Sequence, residues 1–171
     1  MNIAFCGPSK CGKTTAGKFA CDILGVPGPV NISDLLIEEL AAIDGEPVDL
    51  VQADRDGAGG KEREDKARRE LYIIGRAMER HDPLYWIRLA LERSPIVCGI
   101  RTPEEVAAAR EAKLFDAIVW VERPCTPNDP TCKMTAGECD RVIYNYGGKH
   151  ELLWDIRRVV NYYRCKMKEK A

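Results

Sequence analysis

Apolar and polar positions divide this chain into short buried runs and longer amphipathic stretches. The first run, Asn2-Ile3-Ala4-Phe5-Cys6, shows no polar alternation and predicts a strand covered on both faces. Ala16, Phe19, Ala20, Ile23 and Leu24 then follow at i, i+3, i+4, i+7 and i+8, one face of a helix that Gly25 stops. Pro29 to Ile32 predicts a short second strand, with Ser33 as N-cap of a helix from Asp34 to about Ile43. Gly45 to Gly60 is polar, acidic and glycine-bearing, and reads as a loop. Helical spacing resumes at Lys61, with Ala67, Leu71, Ile74 and Met78 on one face; Asp82-Pro83 ends it, and Leu84 to Arg93 predicts another helix.

Pro95 to Ile100 predicts a third buried strand. Thr102-Pro103-Glu104-Glu105 is a helix start with a threonine cap, proline at N1 and glutamate at N3; that helix is expected to run to about Lys113. Ala117 to Val121 predicts the fourth strand and Val142-Ile143-Tyr144 the fifth. Between them Arg123 to Cys139 holds three prolines and no periodicity, so it reads as a loop or lid. Gly147-Gly148 turns into a last helix carrying Leu152, Leu153, Ile156, Val159 and Val160. Strands alternating with helices imply an α/β fold: a five-stranded parallel sheet with helices on both faces.

The turn between the first strand and the first helix carries the chemistry. Gly7, four residues, then Gly12, Lys13 and Thr14 fit G-x-x-x-x-G-K-[ST]. Glycines let such a loop wrap so that successive N–H groups point inward, and a helix starting near Lys13 adds a positive dipole end. The expected ATP-binding set is Gly7, Lys10, Cys11, Gly12, Lys13, Thr14 and Thr15, with Lys13 on the β/γ-phosphates and the Thr14 hydroxyl on Mg²⁺. A guanine-reading N-K-x-D does not occur, which disfavours a GTPase. Little chain remains for the helical domain of an AAA-type motor.

Composition narrows the classes. At 171 residues one domain is expected, residues 1–171. A formal charge of −1 gives no basic field for a nucleic-acid polymer. The sequence has no run of about 18 apolar residues, so no membrane span is expected. A P-loop beginning at residue 7 occupies the place of a signal-peptide core. Of eight cysteines, five are scattered through predicted strand, loop and helix, as expected of thiols in a reducing, cytoplasmic compartment. Cys125, Cys132 and Cys139 are spaced by seven. No C-x-x-C pair accompanies them, and a zinc site would need a fourth ligand such as Asp129 or Asp140.

Phosphoryl transfer needs positive charge around two sets of phosphates. Arg101 follows the third strand, where ligands of a parallel sheet lie; pairing with Glu104 or Glu105 is its structural alternative. Arg123 follows the fourth strand, where it can stack on adenine or clamp the γ-phosphate, or be an exposed hinge residue. Asp34 follows the second strand, placed to meet an acceptor sugar or, through water, Mg²⁺; a helix dipole also favours an acid there. Tyr85 and Trp86 can wall a base, and at helical spacing they can equally be core.

Beyond the P-loop, ARRELYIIGRAMERHDPLYWIRLAL (67–91), IVCGIRTPEEVAAAREAKLFDAIVWVERP (96–124) and DRVIYNYGGKHELLWDI (140–156) resemble the deoxynucleoside monophosphate kinases of bacteriophages. The resemblance covers most of the chain in order. It implies the P-loop NMP-kinase fold, with an NMP-binding insert over about 34–93 and a lid over about 123–139. It implies transfer of the ATP γ-phosphoryl to a deoxynucleoside monophosphate with Mg²⁺, in the host cytoplasm for a viral protein, with a homodimer left open. It implies that at least one of Arg68 and Arg69 faces the acceptor, although they share a helix with enough other charges to form a solvated face; with Asp34, Trp86 and Arg101 they make up the expected acceptor-binding set. It implies too that Asn145 lies in the loop passing the ATP adenine, by its backbone rather than its side chain. Gly99-Ile100-Arg101-Thr102 resembles the G-x-P-R-T of adenylate kinases, whose arginine binds the acceptor phosphate. The chain departs from these patterns in having Cys98 before Gly99 in place of an acid, Tyr72 in place of a glutamine, and no acid at Ala136. Other readings are a P-loop kinase for a different small metabolite and a nucleotide-binding sensor without turnover.

Overall fold

The computed structural model describes residues 1–126 and 129–169. Five strands, β1 (Ile3–Cys6), β2 (Val30–Asn31), β3 (Ile96–Cys98), β4 (Ala117–Glu122) and β5 (Arg141–Tyr144), form one sheet in the order β2-β3-β1-β4-β5. Every pairing is parallel, with Phe5 opposite Cys98 on one side and Val119 on the other. β1 is central, and the chain leaves it first towards β2 and β3 and later towards β4 and β5. The order therefore reverses at the carboxyl end of β1, where parallel sheets open a crevice for ligands.

Period-2 side-chain alternation sends Ile3 and Phe5 to one face of β1 and Ala4 and Cys6 to the other. The first face is covered by α1 (Lys13–Leu24) and α7 (Lys149–Lys168), through Ala16, Ala20, Leu152, Ile156 and Val160. The second is covered by α5 (Tyr85–Arg93) and α6 (Pro103–Glu111), through Trp86, Ile87, Ala90, Val106 and Ala109. Both faces being buried is why the strands read as continuous apolar runs.

Two helices differ from the sequence reading. The second, α2, spans Ile32–Asp44, so the helix begins before Ser33; its N-cap residue is Asn31, whose side chain makes no capping bond. Ile32 is buried in the second core, and packing rather than a cap side chain sets the start. The stretch read as a loop holds a further helix, α3 (Val48–Arg55). Only Val51 of it is buried, against Leu40, Ala41 and Leu71 of α2 and α4 (Lys61–Glu79). Val48 and Leu50 of α3 are exposed, so its apolar residues do not mark one buried face in the sequence. α2, α3 and α4 share this small third core beside the sheet, within the region expected to be an insert. Ala136–Glu138 is a single 3₁₀ turn in the segment after β4.

Candidate functional site: the crevice at the head of the central strand

β1 ends at Cys6 and α1 begins at Lys13, and the intervening residues wrap as the spacing predicts. Gly7 and Gly12 adopt φ of 137° and 107°. A Cβ on Gly7 would collide with the Val121 carbonyl, and one on Gly12 would lie 2.5 Å from Asn145 Nδ2. Only glycine fits both the dihedral and the space. Lys10 also takes a positive φ, 61°, at the exposed crown of the loop. Cys11 is fully buried beneath it. Burial pushes its thiol pKa up, against the opposing effect of nearby Lys13. Lys13 bends back over the loop, its Nζ donating to the carbonyls of Gly7 (2.8 Å) and Pro8 (2.6 Å). The ammonium is thus held at the loop's mouth, where a phosphate would meet it. Thr15 is half-buried in the first turn of α1.

Asn145 holds the loop from behind. Its side chain is buried at the end of β5 and donates to the Cys11 carbonyl at 2.9 Å. The expectation placed its backbone, not its side chain, beside the nucleotide; the side chain proves to be a strut of the loop.

Thr14 leads into a polar chain. Its hydroxyl donates to Asn31 Oδ1 at 2.8 Å, and Asn31 Nδ2 donates to Asp34 Oδ2 at 2.7 Å. Thr14 and Asp34 are exposed at the carboxyl ends of β1 and β2, joined by a residue that the sequence reading passed over. A hydroxyl, an amide oxygen and a carboxylate form the hard oxygen set that suits Mg²⁺ and its waters.

Arg101 stands at the carboxyl end of β3. Glu105, 4% exposed, accepts from the backbone N–H groups of Arg101 (3.0 Å) and Thr102 (2.8 Å), and the Thr102 hydroxyl caps α6 in return. Burial raises the Glu105 pKa, opposed by these donors. Among the described residues the Arg101 guanidinium forms its ion pair with Asp129 and none with Glu104 or Glu105. Its Nη1 donates to Asp129 Oδ2 at 2.9 Å and also contacts the Thr131 hydroxyl. The same Asp129 oxygen accepts the backbone N–H of Ser9, in the P-loop, at 3.0 Å. Asp129 Oδ1 accepts from the Thr131 hydroxyl (2.5 Å) and N–H (3.2 Å). Asp129 is 8% exposed at its side chain. Burial alone would raise its pKa, but the Thr131 hydrogen bonds and the Arg101 charge outweigh it and hold the group below the ordinary carboxylate value. Asp129 had entered the sequence reading only as a possible zinc ligand. Nothing in its local pattern points to Ser9 and Arg101, which lie 120 and 28 residues away.

Among the described residues, Arg123, Arg68, Arg69 and Trp86 make no hydrogen bond to this junction. Arg123 is exposed just beyond β4. Arg68 pairs with Glu64 at 2.9 Å one turn back on α4, and Arg69 lines an open surface groove with Lys61, Glu62, Arg63, Asp65 and Lys66. Trp86 requires a correction: it is 2% exposed, packed in the second core, and its indole N–H donates to the Gly75 carbonyl at 3.3 Å. Its apolar ring and its single donor are both engaged, so it is core, not a wall for an acceptor base. Cys98, standing where the resembling kinases carry an acid, contacts the Lys13 carbonyl through Sγ at 3.5 Å. Burial pushes its pKa up to about 12, so it is a neutral thiol and supplies no carboxylate. Of the three evenly spaced cysteines, Cys125 is exposed while Cys132 and Cys139 pack against the second core. Among the described residues no helix is long and apolar enough to cross a membrane.

No protein-family model matches the chain, and no curated protein matches it by sequence. Among solved structures it is similar to the shikimate kinase of Aquifex aeolicus, with a TM-score of 0.52 and 13% identity over 96% of this chain and 99% of that one. At that identity the likeness shows the fold: a P-loop kinase-like α/β sheet.

Proposed function

We propose that the protein transfers the γ-phosphoryl of ATP to a deoxynucleoside monophosphate. One observation carries this reading. A donor of the P-loop, Ser9 N–H, and the guanidinium at the end of β3 reach the same carboxylate oxygen, at 3.0 and 2.9 Å. Two donors that share one oxygen can share one phosphoryl oxygen. Donors that close can flank adjacent donor and acceptor phosphates, the positioning on which in-line transfer depends.

In this reading the loop N–H groups and the α1 terminus bind the ATP phosphates. Lys13 exchanges the Gly7 and Pro8 carbonyls for phosphate oxygens, and Arg101 orients the acceptor phosphate with its planar fork. Thr14, with Asn31 and Asp34 behind it, would hold Mg²⁺, which supplies neutralising charge between the phosphates. A phosphate acceptor at neutral pH is already deprotonated. The neutral Cys98 in place of an acid is therefore compatible with transfer.

A second reading is transfer to a hydroxyl of another small anionic metabolite. It is favoured by the exposed Asp34 carboxylate on the Thr14–Asn31 chain, because a hydroxyl, unlike a phosphate, gains from a base. The structural neighbour is a shikimate kinase. A coupled ADP-release assay over all dNMPs, NMPs and a set of hydroxy acids including shikimate separates the two, with Lys13→Ala as the inactive control. Turnover only with hydroxy acids would displace the first reading. No ADP release above the Lys13→Ala control with any acceptor would leave a nucleotide sensor.

A further inference from the structure

The contacts of Asp129 describe more than a support for Arg101. A residue that merely aimed the guanidinium would have no need of the P-loop. Yet Asp129 Oδ2 lies on the Ser9 N–H as well, while its other oxygen is fastened to Thr131. The segment behind it is tied down twice more, by Cys132 N–H to the Asp129 carbonyl at 3.0 Å and by Lys133 N–H to the Arg101 carbonyl at 2.8 Å. A negative oxygen thus sits on a cradle donor and on the strand-end cation together, the two groups a phosphoryl oxygen would use. Carboxylate and phosphate are both anions recognised by backbone N–H groups and guanidinium forks.

We propose that Asp129 is a built-in competitor for the phosphoryl seat: it latches residues 129–133 across the mouth of the P-loop, and a nucleotide phosphate must displace it to engage Ser9, which frees Arg101 for the acceptor. This rests on the phosphate-binding reading of the loop and deepens it. The latch couples two events. While it is closed, Arg101 is neutralised and the loop's mouth is covered. When phosphate arrives, the carboxylate is expelled, the 129–133 segment is released, and the guanidinium becomes available to the acceptor. Binding that must first break an internal contact is weakened by the inverse of the fraction of time the contact is open. A latch closed about nine-tenths of the time would weaken nucleotide binding about tenfold.

The test uses the full chain with Mg²⁺ and the non-hydrolysable ATP analogue AMP-PNP. Affinity is measured by calorimetry, and amide hydrogen exchange is followed at Thr131, Cys132 and Lys133. Wild-type protein should show faster exchange at these amides on adding AMP-PNP. Asp129→Asn should show fast exchange without it and bind the analogue about tenfold more tightly. Removing a negative charge alone could tighten anion binding, so Thr131→Val is the second variant. It keeps every charge, removes the hydroxyl bond that fastens Asp129 while leaving the backbone N–H bond of residue 131, and should tighten binding about threefold, in proportion to a partly opened latch. It also serves if Asp129→Asn fails to fold. Equal or weaker affinity in both variants, or rising protection at residues 131–133 on adding AMP-PNP, overturns the latch while leaving the P-loop reading intact. Wild-type protein that binds no AMP-PNP at millimolar concentration overturns both.

Discussion

At the scale of single residues, the site depends on two side chains whose roles differ in kind. Arg101 presents a planar fork at the end of β3, and its backbone is fixed by Glu105. A lysine there keeps the charge and loses the fork. Arg101→Lys is expected to lower kcat/KM for the acceptor by about 10²-fold, if the paired contact persists into the transition state, while ATP affinity does not fall, because the lost fork loosens the Asp129 latch and leaves the cradle intact. Calorimetry with ATP and a coupled assay on the same variant check this, and parallel losses in both would put Arg101 on the donor side. Asn145 works through the backbone of another segment. Asn145→Ala leaves the Cys11 carbonyl without its buried donor, at a cost of about 1–3 kcal/mol. It should lower stability in urea and weaken ATP binding together, because the strut and the cradle are one structure. A variant with unchanged ATP affinity would show that the loop holds its shape without the strut.

At the scale of elements, α6 is where local sequence and site meet. Its Thr102 cap, Pro103 and Glu105 form a capping box that also fixes the Arg101 N–H. Thr102→Ala removes a capping acceptor and strips one donor from the buried Glu105, so about 1–2 kcal/mol should be lost. In a chain of this length that is a fall in melting temperature of roughly 2–8 °C. Scanning calorimetry gives the number; an acceptor KM that rises with it would show that the cap positions Arg101 and does not only stabilise the helix. The elements also differ in how openly the sequence announces them. α1, α4 and α7 repeat apolar residues at helical spacing, whereas α3 has one anchor, Val51, and was invisible. The start of α2 was misread for a related reason: Ser33 looks like a cap, but the buried Ile32 already belongs to the helix.

At the scale of the whole molecule, the sheet order gathers into one crevice groups that are far apart in the chain. Thr14 follows β1, Asn31 closes β2, Arg101 follows β3, and Asp129 arrives from the segment after β4. The Thr14–Asn31–Asp34 oxygens predict that chelating Mg²⁺ with excess EDTA stops transfer and that Mg²⁺ restores it. Activity persisting in excess EDTA would remove the metal from the reaction, and recovery with zinc but not Mg²⁺ would assign the site to a different ion.

By itself the sequence determined what depends on neighbours a few residues apart. The P-loop spacing, the buried strands, the α6 cap and the long amphipathic helices are all local patterns, and Gly7, Gly12, Lys13 and Thr14 could be named from them. The position of Arg101 at the end of β3 was legible because a strand end in a parallel sheet is a predictable place. Contacts between segments remote in the chain leave no such pattern. The tertiary structure alone decided that Asn145 braces the cradle, that Trp86 is core, and that Asn31 joins Thr14 to Asp34. It alone decided that Asp129 meets Ser9 and Arg101 at a single oxygen. The physical reason is that a side chain's partner there is chosen by the sheet order and the packing on either face, and those are properties of the folded chain as a whole.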